Sequence, residues 1–555
     1  MSSGNVVCKA NTQRLVPLKC DISNISGQTM IFEPIQPLPG GCLVGKSLHL
    51  VCEKIFCNVI NATDRDEIID PNRIMGKVSM CTEPKMSSKG PDLRLKNPLD
   101  QELVDIESLS VGANLTSDQV VELRALLLKY HRVFQWNADE TTGRTNLAVH
   151  RINTGNAEPI MQRQYPIPQA AKQAMRDQVF DMLKKQIISE SNSPWRSPIL
   201  LIRKVAADGT VKYRFCIDLR KVNEKTVKDA YSLPRIDETV DALSGSKFFS
   251  TMDIDRAFWQ VPLSDEDKQK TGFMVDGQLY EFNVMPFGAC NAPATFQRLM
   301  DRVLRGLTWR QCLVYIDDVL VFATSFSAHL QSLDEVLSRV LEAGLKLKPS
   351  KCLFGTNTVD YLGYTVSDKG VKPSGKKIEA LLKADLPRTT KLLNSFLCSL
   401  NYYRGEIPNF GDLTADLYDM ANQKQRFCSW NSKAVKNFNL LRKALMMAPI
   451  LAFPDFTKDF VIQSDASQRT IGGVCLQQHE IQRPVMFYGR KLSKVERRYS
   501  TTERELLAIV YGYKQCYHLV YGRKIIFLTD HEPLVKMSRL KQPFGRLGRL
   551  FLGRR

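Results

Sequence analysis

The pattern of apolar and polar positions divides the chain into five segments. Residues 1–80 contain short apolar runs separated by Gly, Pro, Asn and Asp, which predicts a small β-rich unit. Residues 81–115 begin with a polar stretch and are predicted to form a linker. Strand-like and helix-like segments mix in residues 116–370, beginning with a capped helix, and residues 371–455 are mostly helical. Residues 456–555 follow the strand, strand, strand, helix, strand order of a separate α/β unit.

Two adjacent acids interrupt a long apolar run in residues 311–323. The runs CLVYI and VLVFA flank Asp317 and Asp318, which predicts two strands of a hairpin with the acids at its tip. Asp-Asp is not a favoured two-residue turn, and adjacent carboxylates repel each other. A bound cation would remove that objection, because Mg²⁺ prefers carboxylate oxygens. An exposed acidic turn is the alternative interpretation.

Two further segments are candidates for the same site. The run FFSTM in residues 248–252 delivers Asp253 to the end of a predicted strand, although Asp often ends strands for no catalytic reason. Residues 285–300 combine a turn containing Gly288 with the start of a helix. Glycine there would allow the backbone to approach a ligand closely, or would simply form the turn.

The C-terminal segment places three acids on separate elements. Asp465 and Asp530 each follow an apolar strand, and residues 499–520 between them form one predicted amphipathic helix. Glu505 shares a helix face with apolar residues, which would direct its carboxylate inward, but Thr502 and Glu505 also fit the pattern of a capping box. Helical spacing alone leaves both roles open.

Composition and charge narrow the class of protein. The 555 residues carry a net charge of +19, which favours a polyanionic partner, with a basic protein lacking such a partner as the alternative. No apolar run approaches the ~20 residues of a membrane span, and the N-terminus lacks the order of a secretory signal. The 14 cysteines include no CxxC pair, so we expect buried thiols, no structural zinc and an intracellular protein, as a cytoplasmic particle or in the nucleus.

These motifs together resemble one family. Residues 315–318, YIDD, are similar to the YxDD box of reverse transcriptases, and residues 286–297 resemble the PFG…NAPATFQ block of Pol polyproteins from gypsy-class LTR retrotransposons. The segments RFCIDLRKVN (214–223), LKPSKCLFG (347–355) and DYLGYTVS (360–367) match the same family in order. Coincidence is negligible for so many ordered matches.

The resemblance implies a multidomain α+β fold. It would comprise a small N-terminal β unit, right-hand polymerase fingers and palm with an antiparallel sheet and helices, a helical thumb or connection, and a C-terminal RNase H-like α/β unit. Residues 1–80 would be the β-rich spacer that follows a missing protease, and residues 81–115 a linker. The fingers and palm would span 116–370, the thumb or connection 371–455, and the RNase H-like domain 456–555.

The resemblance also implies the polymerase site residues. Two Mg²⁺ or Mn²⁺ ions would be held by acids from separate strands and would activate a primer 3′-OH for transfer from a dNTP. A template–primer of RNA and DNA would be the partner. The implied metal ligands are Asp253, Asp317 and Asp318. The implied substrate-binding residues are the steric gate Phe258, the triphosphate-binding Lys204 and Arg214, and Phe287 and Gly288. The implied primer grip is Tyr361, Leu362 and Gly363. A solvated basic loop is the alternative for Lys204.

For the C-terminal domain, the resemblance assigns Glu505, rather than Glu503, as the catalytic glutamate. Asp465 and Asp530 would complete a second two-metal site that cleaves the RNA strand of an RNA–DNA hybrid. The chain ends at Arg555, before the family's fourth carboxylate, so we expect a truncated RNase H whose activity is impaired.

The sequence-based conclusion is an RNA-directed DNA polymerase with an associated RNase H domain. One alternative is a decayed or domesticated element that binds nucleic acid without polymerising. Another is a distant reverse transcriptase, as in telomerase or maturases, but those classes lack the pairing of the NAPATFQ block with an RNase H module. The sequence does not specify the oligomeric state.

Overall fold

The computed structural model describes residues 106–137, 143–205, 211–423, 425–479 and 481–537, together with eight strands within residues 1–80. The chain divides into two compact units, Met1–Glu102 and Leu103–Arg555. Most of the predicted linker and the last 18 residues, 538–555, lie outside the described residues. The predicted truncation of the C-terminal domain therefore has no structural test.

The described part of the first unit consists of β-strands. They are β1 (Val6–Cys8), β2 (Thr12–Leu18), β3 (Thr29–Pro34), β4 (Cys42–Val44), β5 (Ser47–Leu50), β6 (Ile55–Asn61), β7 (Glu67–Ile69) and β8 (Gly76–Met80). They pair antiparallel in the orders β2-β6-β4, β5-β3-β8 and β1-β7. The predicted β-rich character of this segment is confirmed.

The second unit begins with the elements that the sequence assigns to the fingers and the first half of the palm. They are β9 (Ser110–Val111), α1 (Ser117–Lys129), α2 (Gln169–Lys184), β10 (Ile188–Glu190), β11 (Ile199–Val205), β12 (Val211–Ile217), α3 (Arg220–Lys225), α4 (Ile236–Asp241), β13 (Phe248–Asp253), α5 (Asp265–Lys268), β14 (Phe273–Val275), β15 (Gln278–Phe282) and α6 (Ala292–Val303). The predicted cap of α1 is present, because Thr116 and Gln119 form a capping box.

The palm continues through two hairpins into a helical region. The elements are β16 (Cys312–Tyr315), β17 (Asp318–Ala323), α7 (Phe326–Glu342), β18 (Leu353–Thr356), β19 (Thr358–Tyr361), β20 (Tyr364–Ser367), β21 (Gly370–Pro373), α8 (Gly375–Leu382), α9 (Thr390–Asn401), α10 (Phe410–Ala421) and α11 (Ser432–Met446). The largest sheet of this region has the order β16-β17-β13-β18-β9.

The apolar runs around the acidic pair are buried on both faces of this sheet. Successive side chains of a strand point to opposite faces. One face packs into a core with α6 and α7, and the other packs into a core with α9, α10 and α11. The first face carries Val314, Val319 and Val321, and the second carries Leu313, Leu320 and Phe322. Burial on both faces explains why these strands lack the apolar–polar alternation of half-exposed strands.

The C-terminal elements form a four-stranded sheet with a long helix on it. They are β22 (Phe460–Ala466), β23 (Thr470–Gln478), β24 (Gln482–Lys491), α12 (Thr501–Gln515), α13 (Tyr517–Val520), β25 (Ile525–Leu528) and α14 (Glu532–Met537). The order is β24-β23-β22-β25, and β22 runs parallel to β25. Within the described ranges, no helix has the length and apolarity needed to cross a bilayer.

Candidate active sites

The acidic pair lies on a tight hairpin, as predicted. Tyr315 pairs with Asp318 across β16 and β17, so the two-residue turn consists of Ile316 and Asp317. Ile316 has a φ of 56°, the left-handed conformation that two-residue hairpin turns require and that a β-branched residue rarely adopts. Only Asp317 belongs to the turn itself, because Asp318 already starts β17.

A buried glutamine holds this strained turn in place. The side chain of Gln297 on α6 is 1% exposed, and its Oε1 accepts a 2.8 Å hydrogen bond from the backbone N–H of Ile316. Its Nε2 donates to Asp301 Oδ1 at 3.0 Å and to the carbonyl of Val314 at 3.3 Å. Sequence analysis used Gln297 only as part of a motif and missed this positioning role. Through Gln297, α6 therefore fixes the backbone of the acidic hairpin.

The third predicted acid reaches the same edge of the sheet. Asp253 ends β13 and pairs directly with Asp318, and the N–H of Ile254 donates to the carbonyl of Asp317 at 3.2 Å. Burial raises the pKa of Asp317. Asp318 is exposed at the start of β17, but desolvation by the surrounding chain and the charges of Asp317 and Asp253 raise its pKa to about 6. The three carboxyl groups therefore lie within electrostatic reach of one another, and a bound cation would relieve their repulsion.

A lysine lies next to these acids. Lys351 Nζ lies 2.6 Å from Asp253 Oδ2. Burial opposes its charge, but the hydrogen bond to Asp253 and the charges of Asp317 and Asp318 raise the pKa of Lys351. Sequence analysis quoted the segment around Lys351 without assigning it a role. The ammonium group of Lys351 supplies the positive charge at Asp253 that a metal ion would also supply.

The acids fit a divalent-ion site but do not form a closed one. Across the described ranges, no three His, Cys, Asp or Glu side chains are assembled closely enough to hold a metal ion. The carboxylate of Asp253 is instead paired with Lys351, whose ammonium group provides positive charge beside it. The donor set, carboxylates alone, is the type that Mg²⁺ prefers.

Aromatic rings and an arginine form a second group of the predicted polymerase residues. Phe258 lies in the 3-10 helix Ala257–Gln260, and its ring centroid is 5.3 Å from that of Phe287. The guanidinium carbon of Arg214 on β12 lies 5.0 Å from the Phe287 centroid. The structure thus brings together Phe258, Phe287 and Arg214. Lys204 lies on β11, opposite Lys212, but its side chain is outside the described part of the chain.

The loop carrying Gly288 is braced by α3. Gly288 has a φ of 99°, which favours glycine. Asn223 donates from Nδ2 to the carbonyl of Gly288 at 2.8 Å and accepts from the N–H of Cys290 at 2.9 Å. Asn223 belongs to the RFCIDLRKVN motif, and it positions the loop of the PFG…NAPATFQ block, to which Gly288 belongs.

The predicted primer-grip residues form the turn between β19 and β20. Leu362 and Gly363 have φ values of 47° and 88°, a two-residue turn with both central residues left-handed. Tyr402 donates to the carbonyl of Leu362, and Tyr403 donates to that of Gly363 at 3.2 Å. Tyr361 is buried beneath the turn, and burial raises the pKa of its phenol. The turn is fixed in place, while its role with a primer stays a prediction.

The capping question at the C-terminal helix is resolved by the structure. Ser500 and Glu503 form the capping box of α12, so the alternative that Thr502 and Glu505 do so is wrong. Thr502 instead hydrogen-bonds His531 at 2.9 Å. Glu505 is thereby left out of the cap, one turn into the helix.

Glu505 faces the strand ends that carry the two aspartates. It is 6% exposed, and its Oε2 has no hydrogen-bond partner. Burial first, then the charges of Asp465 and Asp530, raise the pKa of Glu505 to about 7. Asp465 lies on β22 and Asp530 follows the neighbouring parallel strand β25. The two aspartates are therefore near enough to Glu505 to raise its pKa, and a cation would satisfy the unpaired oxygen of Glu505.

Comparison with known families identifies two domains in the chain. Residues 202–366 match the family model described as reverse transcriptase (RNA-dependent DNA polymerase), and residues 430–527 match that of the RNase H-like domain found in reverse transcriptase. The chain therefore contains a reverse transcriptase domain followed by an RNase H-like domain, and both families generally depend on divalent metal ions.

Individual relatives carry the resemblance further. The chain is 36% identical over 437 residues to the retrovirus-related Pol polyprotein from transposon 297 of Drosophila melanogaster, covering 79% of this chain and 41% of that protein. It is 30% identical over 525 residues to the Pol polyprotein from transposon 412 of the same organism, covering 94% and 41%. The predicted resemblance to gypsy-class Pol polyproteins is confirmed. The chain spans about two fifths of the length of these relatives.

Solved structures confirm the predicted fold class. A foamy viral protease–reverse transcriptase in complex with double-stranded DNA has a TM-score of 0.71 at 22% identity, covering 88% of this chain and 87% of that one. The foamy viral enzyme in complex with an RNA/DNA hybrid has a TM-score of 0.67 at 22% identity, covering 96% and 70%. The multidomain α+β interpretation is thus correct.

A third family model overlaps the predicted spacer and linker. Residues 52–173 match the model described as Spumavirus aspartic protease (A9). The five domain boundaries, and the role of residues 1–80 as a spacer, stay predictions.

Replacing the buried glutamine should loosen the acidic turn. We expect Gln297→Leu to lower the free energy of unfolding by about 1–3 kcal/mol, because the Ile316 N–H would be left without its acceptor. Urea unfolding followed by circular dichroism measures this loss. Gln278→Leu, at an exposed position of β15, is the matched control. Equal unfolding midpoints for the two variants would contradict the positioning role.

Proposed function

We propose that this chain acts as an RNA-directed DNA polymerase that extends a primer on an RNA or DNA template. One observation carries the proposal. Asp253, Asp317 and Asp318 lie at the same edge of the sheet, where the ammonium group of Lys351 pairs with Asp253. The family match of residues 202–366 supports it. No observation favours the alternative of a decayed or domesticated element that binds nucleic acid without polymerising.

Asp253, Asp317 and Asp318 would hold the Mg²⁺ or Mn²⁺ ions of this reaction. When bound, such ions lower the pKa of a primer 3′-OH and stabilise the pyrophosphate that leaves. The raised pKa values of Asp317 and Asp318 support this assignment, because a divalent cation would favour the charged carboxylates that burial disfavours.

The neighbouring residues would select and orient the incoming dNTP. The ring of Phe258, packed against Phe287, would exclude a ribose 2′-OH by its bulk. Arg214 would pair with triphosphate oxygens, since a guanidinium matches phosphate geometry, and Lys204 would add a second positive charge. The turn of Leu362 and Gly363 would support the primer end.

We also propose that the second site cleaves the RNA strand of an RNA–DNA hybrid. Glu505, with Asp465 and Asp530, would hold the metal ions there. A hybrid is recognised by shape and 2′-hydroxyl groups rather than by base edges. The net charge of +19 supports a nucleic-acid partner, and an intracellular location is part of the same proposal.

The test is primer extension on an RNA template with and without divalent metal. We expect dNTP incorporation with Mg²⁺ or Mn²⁺ and none after chelation, while the chain still binds labelled template–primer through its basic residues. Incorporation that survives chelation would contradict the metal site. Binding without incorporation in either metal would overturn the polymerase and favour an element that only binds nucleic acid.

A further inference from the structure

A cavity of about 350 Å³ lies away from both candidate active sites. Its walls come from α4, β20 and β21, the turn that follows α9, β24 and α13. It therefore lies where the palm, the helical region and the RNase H-like domain meet. Its volume is at the lower end of the range for small-molecule sites.

Two carboxyl groups line this cavity without a basic partner. Glu406 is 8% exposed, and its Oε2 has no hydrogen-bond partner. Burial raises the pKa of Glu406 to about 7, and burial with the charges of Asp237 and Glu238 raises that of Asp241 to about 7. No basic group lowers the pKa of either carboxyl.

Neither arginine of the cavity wall pairs with Asp241 or Glu406. Arg404 Nη2 donates to Tyr511 Oη and to Gln515 Oε1, both at 3.0 Å. Arg235 lies 3.3 Å from Asp237 Oδ2 and 3.7 Å from Glu238 Oε1. The carboxyl groups of Asp241 and Glu406 are therefore left without a positively charged partner, although Tyr364 hydrogen-bonds Glu406.

The rest of the wall is mostly apolar. Val240, Phe453, Val485, Met486 and Leu519 contribute aliphatic and aromatic surface. A hydrated Mg²⁺ ion fits such a wall poorly, because it retains water and needs several oxygen ligands. An alkyl chain ending in ammonium groups suits both parts of the lining, since each ammonium donates three hydrogen bonds and carries the missing charge.

We propose that this cavity binds an aliphatic diamine or polyamine, with its ammonium groups on the carboxylates of Asp241 and Glu406 and its methylene groups against the apolar wall. Binding would connect α4 to the turn that follows α9 and so stabilise the arrangement of the palm and the helical region. The inference is independent of the proposed polymerase function.

Isothermal titration of the full chain with putrescine, in the absence of nucleic acid and metal, tests the proposal. We expect saturable binding with a stoichiometry of one at the cavity, and no binding of butanediol, which has the same chain length without charge. Glu406→Gln and Asp241→Asn should each weaken putrescine binding by about tenfold or more, because each removes a charged partner. Asp368→Asn, at an exposed turn outside the cavity, should leave the affinity unchanged.

The pH dependence provides a second readout. A diamine stays charged below about pH 9, so its affinity should follow ionisation of the two carboxyl groups and rise from about pH 6 to about pH 8. Glu406→Gln should flatten this rise. The other charged or titratable groups of the wall are Arg235, Asp237, Tyr364, Tyr402, Arg404 and His518.

Both variants are expected to fold, since an amide replaces a buried acid of nearly the same shape, and thermal unfolding checks this. Absence of putrescine binding to the unsubstituted chain would overturn the proposal. Equal affinities of the unsubstituted chain and both folded variants, or equal binding of butanediol, would also overturn it.

Discussion

Asp317→Asn and Asp318→Asn are each expected to reduce dNTP incorporation on a primed RNA template by about a thousandfold or more. The metal ions of a two-metal site supply several kcal/mol of transition-state stabilisation, and ~4 kcal/mol corresponds to three powers of ten in rate. An amide keeps the shape of the carboxyl group but loses its charge. Rapid-quench measurement of single-nucleotide addition, at saturating template–primer, gives the rate directly.

Stability separates this loss from misfolding. Burial and mutual repulsion raise the pKa of both Asp317 and Asp318, so their charged forms are disfavoured in the folded chain. The neutral asparagine variants should therefore unfold at temperatures no lower than the unsubstituted chain at neutral pH. Asp360→Asn, on β19 with an ion pair to Lys376 and a hydrogen bond from Thr365, is the matched control and should retain full activity. Near-normal addition by folded Asp317→Asn would show that this carboxylate is not a metal ligand.

The apolar runs predicted where the strands that carry Asp253, Asp317 and Asp318 end, because a strand end is a local feature of the sequence. An apolar run followed by an acid specifies where a strand stops and which way the next residue faces, and Asp253 and Asp318 meet for that reason. The two-sided burial of β17 was already implied by its unbroken apolar sequence.

Contacts between residues that are far apart in sequence could not be predicted from local patterns. Lys351 is 98 residues from Asp253 in sequence, and no periodic pattern around Lys351 indicates that the two side chains pair. Gln297 appears as one polar residue on an amphipathic helix, and its bond to Ile316 depends on how α6 crosses the hairpin. The cavity around Glu406 is built from at least five separate elements, so no local pattern indicates it.

The helix cap shows a different limit of sequence reasoning. Ser500 with Glu503 and Thr502 with Glu505 have the same spacing, and each fits a capping box. Tertiary packing decides between them, because α12 buries Leu506, Ala508 and Ile509 and thereby turns Glu505 toward the sheet. Only the family resemblance distinguished the two glutamates in advance.

Glu505→Gln is expected to abolish cleavage of the RNA strand of a hybrid while leaving primer extension within about twofold of normal. The charges of Asp465 and Asp530 act on its carboxylate, and all three acids belong to the RNase H-like domain rather than to the palm. Loss of one metal-binding charge should slow cleavage by about a thousandfold. Gel analysis of a labelled RNA–DNA hybrid, beside primer extension by the same preparation, measures both activities.

The same substitution should stabilise the metal-free chain in a pH-dependent way. The folded-state pKa of Glu505 is raised to about 7, above its unfolded value, so ionisation of this group opposes folding as pH rises from about 4.5 through about 7. Glu505→Gln should therefore unfold at the same temperature as the unsubstituted chain near pH 4 and at a higher temperature near pH 8. Glu503→Gln, which keeps an acceptor at the capping position, should show neither the loss of cleavage nor this trend. If the glutamine at position 505 leaves cleavage at the rate of the unsubstituted chain, the assignment of the second site is wrong.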